Sequence, residues 1–188
     1  INKVVSDVGQ YSRSDGGNAV DISSIRSNGS TIGTKGYSSG TVPVVRHIQS
    51  DVELFNQSST RPGACAVYYP WWHADIMQLL PLLDEGGKEN QRARALKYAI
   101  KIDRLFLKAI ESESDIYLFD PKRVPEFNEL VGEAFVAAYD KAVASKLYEQ
   151  VIPAQVVAYE LAKQRLETGN VYIFFRDNVM EQSVFRST

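Results

Sequence analysis

One cysteine, two histidines and two methionines are all that this 188-residue chain holds of the residues that most often ligate metals or carry redox chemistry. A lone Cys65 excludes an internal disulfide framework and fits a reducing cytoplasmic compartment. His47 and His73 stand far apart, with no Cys or His at ligand spacing, so no three- or four-ligand zinc centre is expected. Basic excess is lacking too: 21 Lys and Arg face 23 Asp and Glu, a net charge of −2. That balance excludes a nucleic-acid partner held by phosphate neutralisation. No apolar run approaches the ~20 residues that span a bilayer, so no membrane partner is expected. The two standard phosphate fingerprints, Gly-x-Gly-x-x-Gly and a loop ending in Gly-Lys-Ser/Thr, are also missing.

What remains is the composition of a packed domain, with 44% hydrophobic and 23% charged residues. The length predicts about one domain. The chain starts at Ile1 and ends on "VFRST", which raises the expectation that it is a piece of something larger.

Apolar residues at Ile1, Val4, Val5, Val8 and Tyr11 predict a first helix over residues 1–15 that Gly16-Gly17 ends, and "NAVDIS" predicts a strand. Residues 24–41, with four glycines among many Ser and Thr, predict one long loop. Val45, Ile48, Val52 and Phe55 predict a helix with Pro43 in its first turn. "ACAVYY" reads as a short buried strand, and residues 73–84 as a helix bent or stopped at Pro81. Leu96, Tyr98, Ile100 and Ile102 alternate as in a strand, and Asp103 is placed to cap a helix over 104–111. "DIYLF" and "NVYIFF" predict two more strands, with helices over 126–145 and 153–168 between them, the second bounded by Pro153 and Gly169. Strands alternating with helices predict an α/β fold with much parallel pairing.

The residues alone offer weak chemistry. Cys65 on a strand reads as a small buried hydrophobe, or as a nucleophile paired with His73. The 24–41 segment reads as a surface loop, or as an anion holder using Arg26, Lys35 and backbone N–H groups.

The order of short strings is more informative. It runs Gly16-Gly17-x-Ala19-Val20-x-Ile22-Ser23-x-Ile25-Arg26-x-x-Gly29-Ser30-x-Ile32, then Ser39-Gly40-x-Val42-Pro43. Asn56-Gln57-x-x-x-Arg61-x-Gly63-Ala64-x-Ala66-Val67-Tyr68 and Trp72-His73-x-Asp75-Ile76 follow. Arg92-x-Arg94, "YLFDP" and "ETGNVYIFFRDN" complete the series. In this order the strings resemble the large (α) chain of class I ribonucleotide reductase. "NQ…RPGA" and "YLFDP" look most like its bacterial and phage Ib branch.

The resemblance implies an α/β fold covering roughly the first half of a ten-stranded α/β barrel. It also implies reduction of the ribose of a ribonucleoside diphosphate by radical chemistry. The radical would come from a dimetal β subunit, and a deoxynucleoside triphosphate or ATP would act as allosteric effector. Implied partners are a second α subunit in a homodimer, the β subunit and flanking α-chain segments. Residues 1–23 would form a helix and first strand, 24–41 specificity loop 1, 56–64 specificity loop 2, and 65–188 the remaining strands and helices. Gly17, Gln57, Arg61, Gly63 and Ala64 would meet substrate; Arg26, Ile32 and Lys35 would meet effector. The family often has Arg or Lys directly after the isoleucine, whereas this chain has Gly33. The resemblance puts the catalytic cysteines outside these residues, so the chain alone is expected to be inactive. Two other readings are an adenosylcobalamin-dependent relative with the same barrel, and a non-catalytic nucleotide-binding or assembly module.

Overall fold

The structure is a computed structural model that describes residues 2–14, 16–34, 36–55, 63–84 and 92–183. Helix α1 (Asn2–Arg13) leads into strand β1 (Gly17–Asp21), followed by β2 (Asn28–Ile32), β3 (Gly36–Ser39) and helix α2 (Thr41–Phe55). Next come β4 (Ala64–Pro70), α3 (Ile76–Leu79) with a 3₁₀ turn over Leu80–Leu83, β5 (Lys97–Ile102), α4 (Arg104–Glu111) and β6 (Asp115–Phe119). A second 3₁₀ turn (Pro125–Asn128), α5 (Gly132–Ala144), β7 (Tyr148–Pro153), α6 (Ala154–Thr168), β8 (Val171–Phe175) and α7 (Arg176–Gln182) complete the chain.

Four strands form a parallel sheet in the order β1-β4-β5-β8. Parallel neighbours need crossovers, and helices supply them. Alternation decides which side the helices cover. Val20, Cys65, Val67, Tyr69, Tyr98, Ile100 and Ile102 point to one face and are buried beneath helices with Val45, Ile48, Val52, Val157 and Leu161. The opposite face carries Gly17, Ala19 and Asp21 of β1, Ala64 and Ala66 of β4, and Lys97 of β5, all at least partly exposed. One covered and one open face is what a segment of a barrel wall presents.

Most elements obey local rules. The Asp103 side chain accepts from the Phe106 N–H at 3.0 Å, capping α4, and Gly169 ends α6 in the left-handed conformation. A second packed region surrounds Trp71 and Trp72. Trp71 stacks on Phe106 with centroids 5.1 Å apart, and Phe127 meets Trp72, Phe119 and Phe135 edge-on at 5.2 Å. The Trp71 indole N–H donates to buried Asp103 at 2.8 Å, satisfying both groups.

Four expectations are corrected. Residues 24–41 are not one loop, because β2 and β3 pair antiparallel within them. The 73–84 helix is a single α turn followed by a 3₁₀ turn with Pro81 near its start, since proline cannot donate in a continuing α-helix. The 126–145 helix begins only at Gly132, after a separate 3₁₀ turn. Strand β7 was not expected; it pairs antiparallel with β6 and ends on Pro153, which is therefore the cap of α6 rather than its first turn.

Candidate functional site

Beyond the carboxyl end of β1 the chain leaves the sheet to form the β2–β3 hairpin and then returns along α2. Three buried polar side chains hold its base. Asp75 accepts the Asn28 N–H and the Thr41 N–H, both at 2.9 Å, and the Thr41 hydroxyl at 3.0 Å. Asp120, directly after β6, accepts the Ser27 N–H at 3.2 Å, the Ser30 hydroxyl and the Lys122 N–H. His73 Nε2 donates to the Ile25 carbonyl at 2.8 Å, and Nδ1 accepts the Asp75 N–H at 3.0 Å. That pairing fixes the neutral Nε2–H tautomer. Burial lowers the His73 pKa, against the opposing pull of the Ile25 bond and of Asp75 and Asp120.

The chain enters the hairpin through Arg26, whose Nη1 donates to the Thr31 carbonyl at 3.1 Å. Lys122 Nζ reaches the same carbonyl at 2.9 Å and the Thr31 hydroxyl at 2.8 Å. Ile32 ends β2 with its side chain about half exposed. Arg26 and Ile32 therefore belong to one hairpin, and Lys35 lies outside the described residues. A polar cleft of about 450 Å³ opens beside it, lined by residues 27–31 and by Asp120, Lys122, Arg123 and Glu149.

At the other end of the sheet, Gly17 and Ala64 are register partners on β1 and β4, with Gly63 immediately before Ala64. Three of the five expected substrate residues are thus brought together; Gln57 and Arg61 lie outside the described residues. A Cβ on Gly17 would meet nothing within 4 Å, whereas one on Gly63 would come within 3.1 Å of the Ser12 backbone. Five residues of β1, at ~3.3 Å each, separate this group from the base of the hairpin by roughly 15 Å.

Near the carboxyl ends of β1 and β5, the open face carries a charged pair. Lys101 Nζ and the Asp21 carboxylate are 2.6 Å apart, and Tyr68 meets Phe174 edge-on at 5.6 Å. Cys65 faces the helices instead, and burial pushes its thiol up to about 11. Both ring nitrogens of His73 are taken by backbone groups, so the Cys65–His73 pair read from the sequence is not formed.

Sequence reasoning gave no role to Asp75, Asp120 or Lys122, although Asp75 and Asp120 lie within the quoted strings. A carboxylate placed directly after a strand-forming run, as in "YLFDP", is the signal that could have found Asp120.

Comparison with known proteins identifies the family. The family described as "Ribonucleotide reductase, barrel domain" matches residues 1–188. The ribonucleoside-diphosphate reductase large chain of Schizosaccharomyces pombe is 36% identical over 174 residues, covering 92% of this chain and 22% of the relative. The large subunit of Danio rerio is 39% identical over 168 residues, covering 88% and 21%. That of Arabidopsis thaliana is 34% identical over 185 residues, covering 97% and 23%. The chain spans about a fifth of the length of these relatives. With its parallel sheet, interleaved helices and a family match over residues 1–188, the chain belongs to the ribonucleotide reductase barrel-domain family.

Proposed function

We propose that this chain supplies the nucleotide-facing part of a ribonucleoside-diphosphate reductase large subunit. In this reading the small-residue end at Gly17, Gly63 and Ala64 lies against the substrate, a ribonucleoside diphosphate. Gln57 and Arg61 read its base, because an amide and a planar five-donor guanidinium can address base edges. The hairpin end, with Arg26 and Ile32, holds a deoxynucleoside triphosphate or ATP as effector, with Lys35 as a further cation. Residues 56–64 link α2 to β4 and so connect the two ends in sequence. A binding event at one end alters the other only if the linking segment makes different contacts in the two effector states.

The observation that carries this reading is the pairing of a full-length family match with the clustering of Gly17, Gly63 and Ala64 at one end and Arg26 and Ile32 at the other. The reduction itself needs reactive cysteines, and Cys65 is packed in the core. Those groups come from other segments of the α chain, the radical from a dimetal β subunit, and the working form is an α homodimer in the cytoplasm. The Ib-like form of the subunit is part of the proposal and rests on the "NQ…RPGA" and "YLFDP" strings.

The test is substrate choice in the assembled enzyme. Arg61→Ala is expected to flatten the effector-dependent ratio of rates between two ribonucleoside diphosphates by an order of magnitude or more, on the order of 1.4 kcal/mol or above. Discrimination that follows each effector as in the unaltered enzyme would contradict the proposal.

A further inference from the structure

Two cations from distant parts of the chain meet at one backbone carbonyl. Arg26 stands just before β2, and Lys122 stands on the turn after β6, yet both donate to Thr31 at 3.1 and 2.9 Å. Among the described residues neither cation meets a carboxylate. The nearby acids are already engaged: Asp120 by Ser27, Ser30 and the Lys122 N–H, and Glu149 by Arg123 at 3.2 Å. Two like charges drawn to one neutral acceptor repel each other, and a single carbonyl does not compensate them. A shared anion would. Lys122 and Arg123 also line the 450 Å³ cleft, where Gly29 has a φ of +81° and a Cβ would meet nothing within 4 Å. A charged ligand can therefore approach the backbone of residues 27–31 closely.

We propose that Lys122 is a second phosphate-binding residue of the effector site, acting with Arg26 on the polyphosphate chain of a nucleoside triphosphate. The proposal rests on the effector reading of the hairpin given above. It assigns the cationic role to a residue 91 positions from Thr31 in sequence, at a site where Gly33 brings no charge. Lys122 acts as a movable point charge. It leaves the Thr31 carbonyl when phosphate arrives and ties the hairpin to the end of β6 when phosphate is absent. Its second contact, the Thr31 hydroxyl, can remain as the hinge.

The test measures equilibrium binding of a deoxynucleoside triphosphate, of inorganic tripolyphosphate and of the matching deoxynucleoside to the intact protein. The variants are Lys122→Gln, Lys122→Arg and Arg26→Gln. Lys122→Gln is expected to weaken the triphosphate and tripolyphosphate about tenfold, as for the loss of one charged hydrogen bond. The deoxynucleoside should be almost unaffected, Lys122→Arg should restore most of the affinity, and the difference should shrink at high salt. Equal losses for deoxynucleoside and triphosphate would make Lys122 a structural clip and overturn the proposal. Weakening by Arg26→Gln but not by Lys122→Gln would overturn it while leaving the effector reading intact. No effect from either variant would remove both. Binding of tripolyphosphate at wild-type strength to Lys122→Gln, with only the nucleotide weakened, would also overturn it.

Discussion

At the carboxyl end of β1 and β4 the chain positions its backbone with buried charged and polar side chains. At the amino end it does so by leaving side chains out. Among the described residues, the side chains of Asp75, Asp120 and His73 together receive or supply eight hydrogen bonds at the hairpin base, whereas Gly17, Ala19, Ala64 and Ala66 form a nearly bare open face. The first construction fixes a loop rigidly on the barrel wall. The second leaves open space over the sheet, where a Cβ on Gly17 would meet nothing within 4 Å. Stability should therefore be concentrated at one end and ligand tolerance at the other.

The largest expected effect is at the hairpin base. Asp75→Ala strands the Asn28 and Thr41 N–H groups and the Thr41 hydroxyl, costing roughly 3–5 kcal/mol in chemical denaturation. Gly40→Ala comes next. Its φ is +79°, and a Cβ would lie 2.6 Å from Asp75 Oδ2 and 3.0 Å from the Asn28 nitrogen. Strain and displacement of the clamp should cost about 2–4 kcal/mol. By contrast, Gly17→Ala should change stability by less than about 0.5 kcal/mol, because the added methyl enters open space. If Gly17 faces the substrate, the same variant should raise KM for the ribonucleoside diphosphate severalfold; an unchanged KM would break the contrast.

Much of the frame was legible because local rules agreed with the tertiary structure. Asp103, the alternation from Leu96 to Ile102, and the 104–111 helix are set by capping and burial that a short window already contains. The β2–β3 hairpin was not legible. Its residues are mostly exposed and rich in Gly and Ser, and what makes them a hairpin is Asp75 and Asp120, dozens of positions away. Strand β7 was missed for the same reason: Glu149, Gln150 and Val151 are all exposed, so no alternation marks the strand. At the site, Gly17 came from the resemblance, Arg26 from its cation in a glycine-rich segment and from the resemblance, while Lys122 emerged only from the geometry.

A smaller effect concerns protonation. The His73 pKa is lowered by burial, so its neutral form is favoured by folding. That contribution is complete above the unfolded value of about 6.5 and is lost as pH falls from there through the folded pKa. Nitrogen-15 shifts followed through a pH titration should show His73 as a neutral Nε2–H imidazole that protonates at lower pH than a free histidine. A ring that protonates at or above the free value would contradict the fixed tautomer on which the clamp depends.

Hydrogen exchange in the intact protein, with a ribonucleoside diphosphate and a deoxynucleoside triphosphate added separately, tests the two-ended account most directly. The diphosphate is predicted to protect peptides containing Gly17 and residues 63–66, and the triphosphate those covering residues 26–39. Protection of the same end by both ligands would contradict the account.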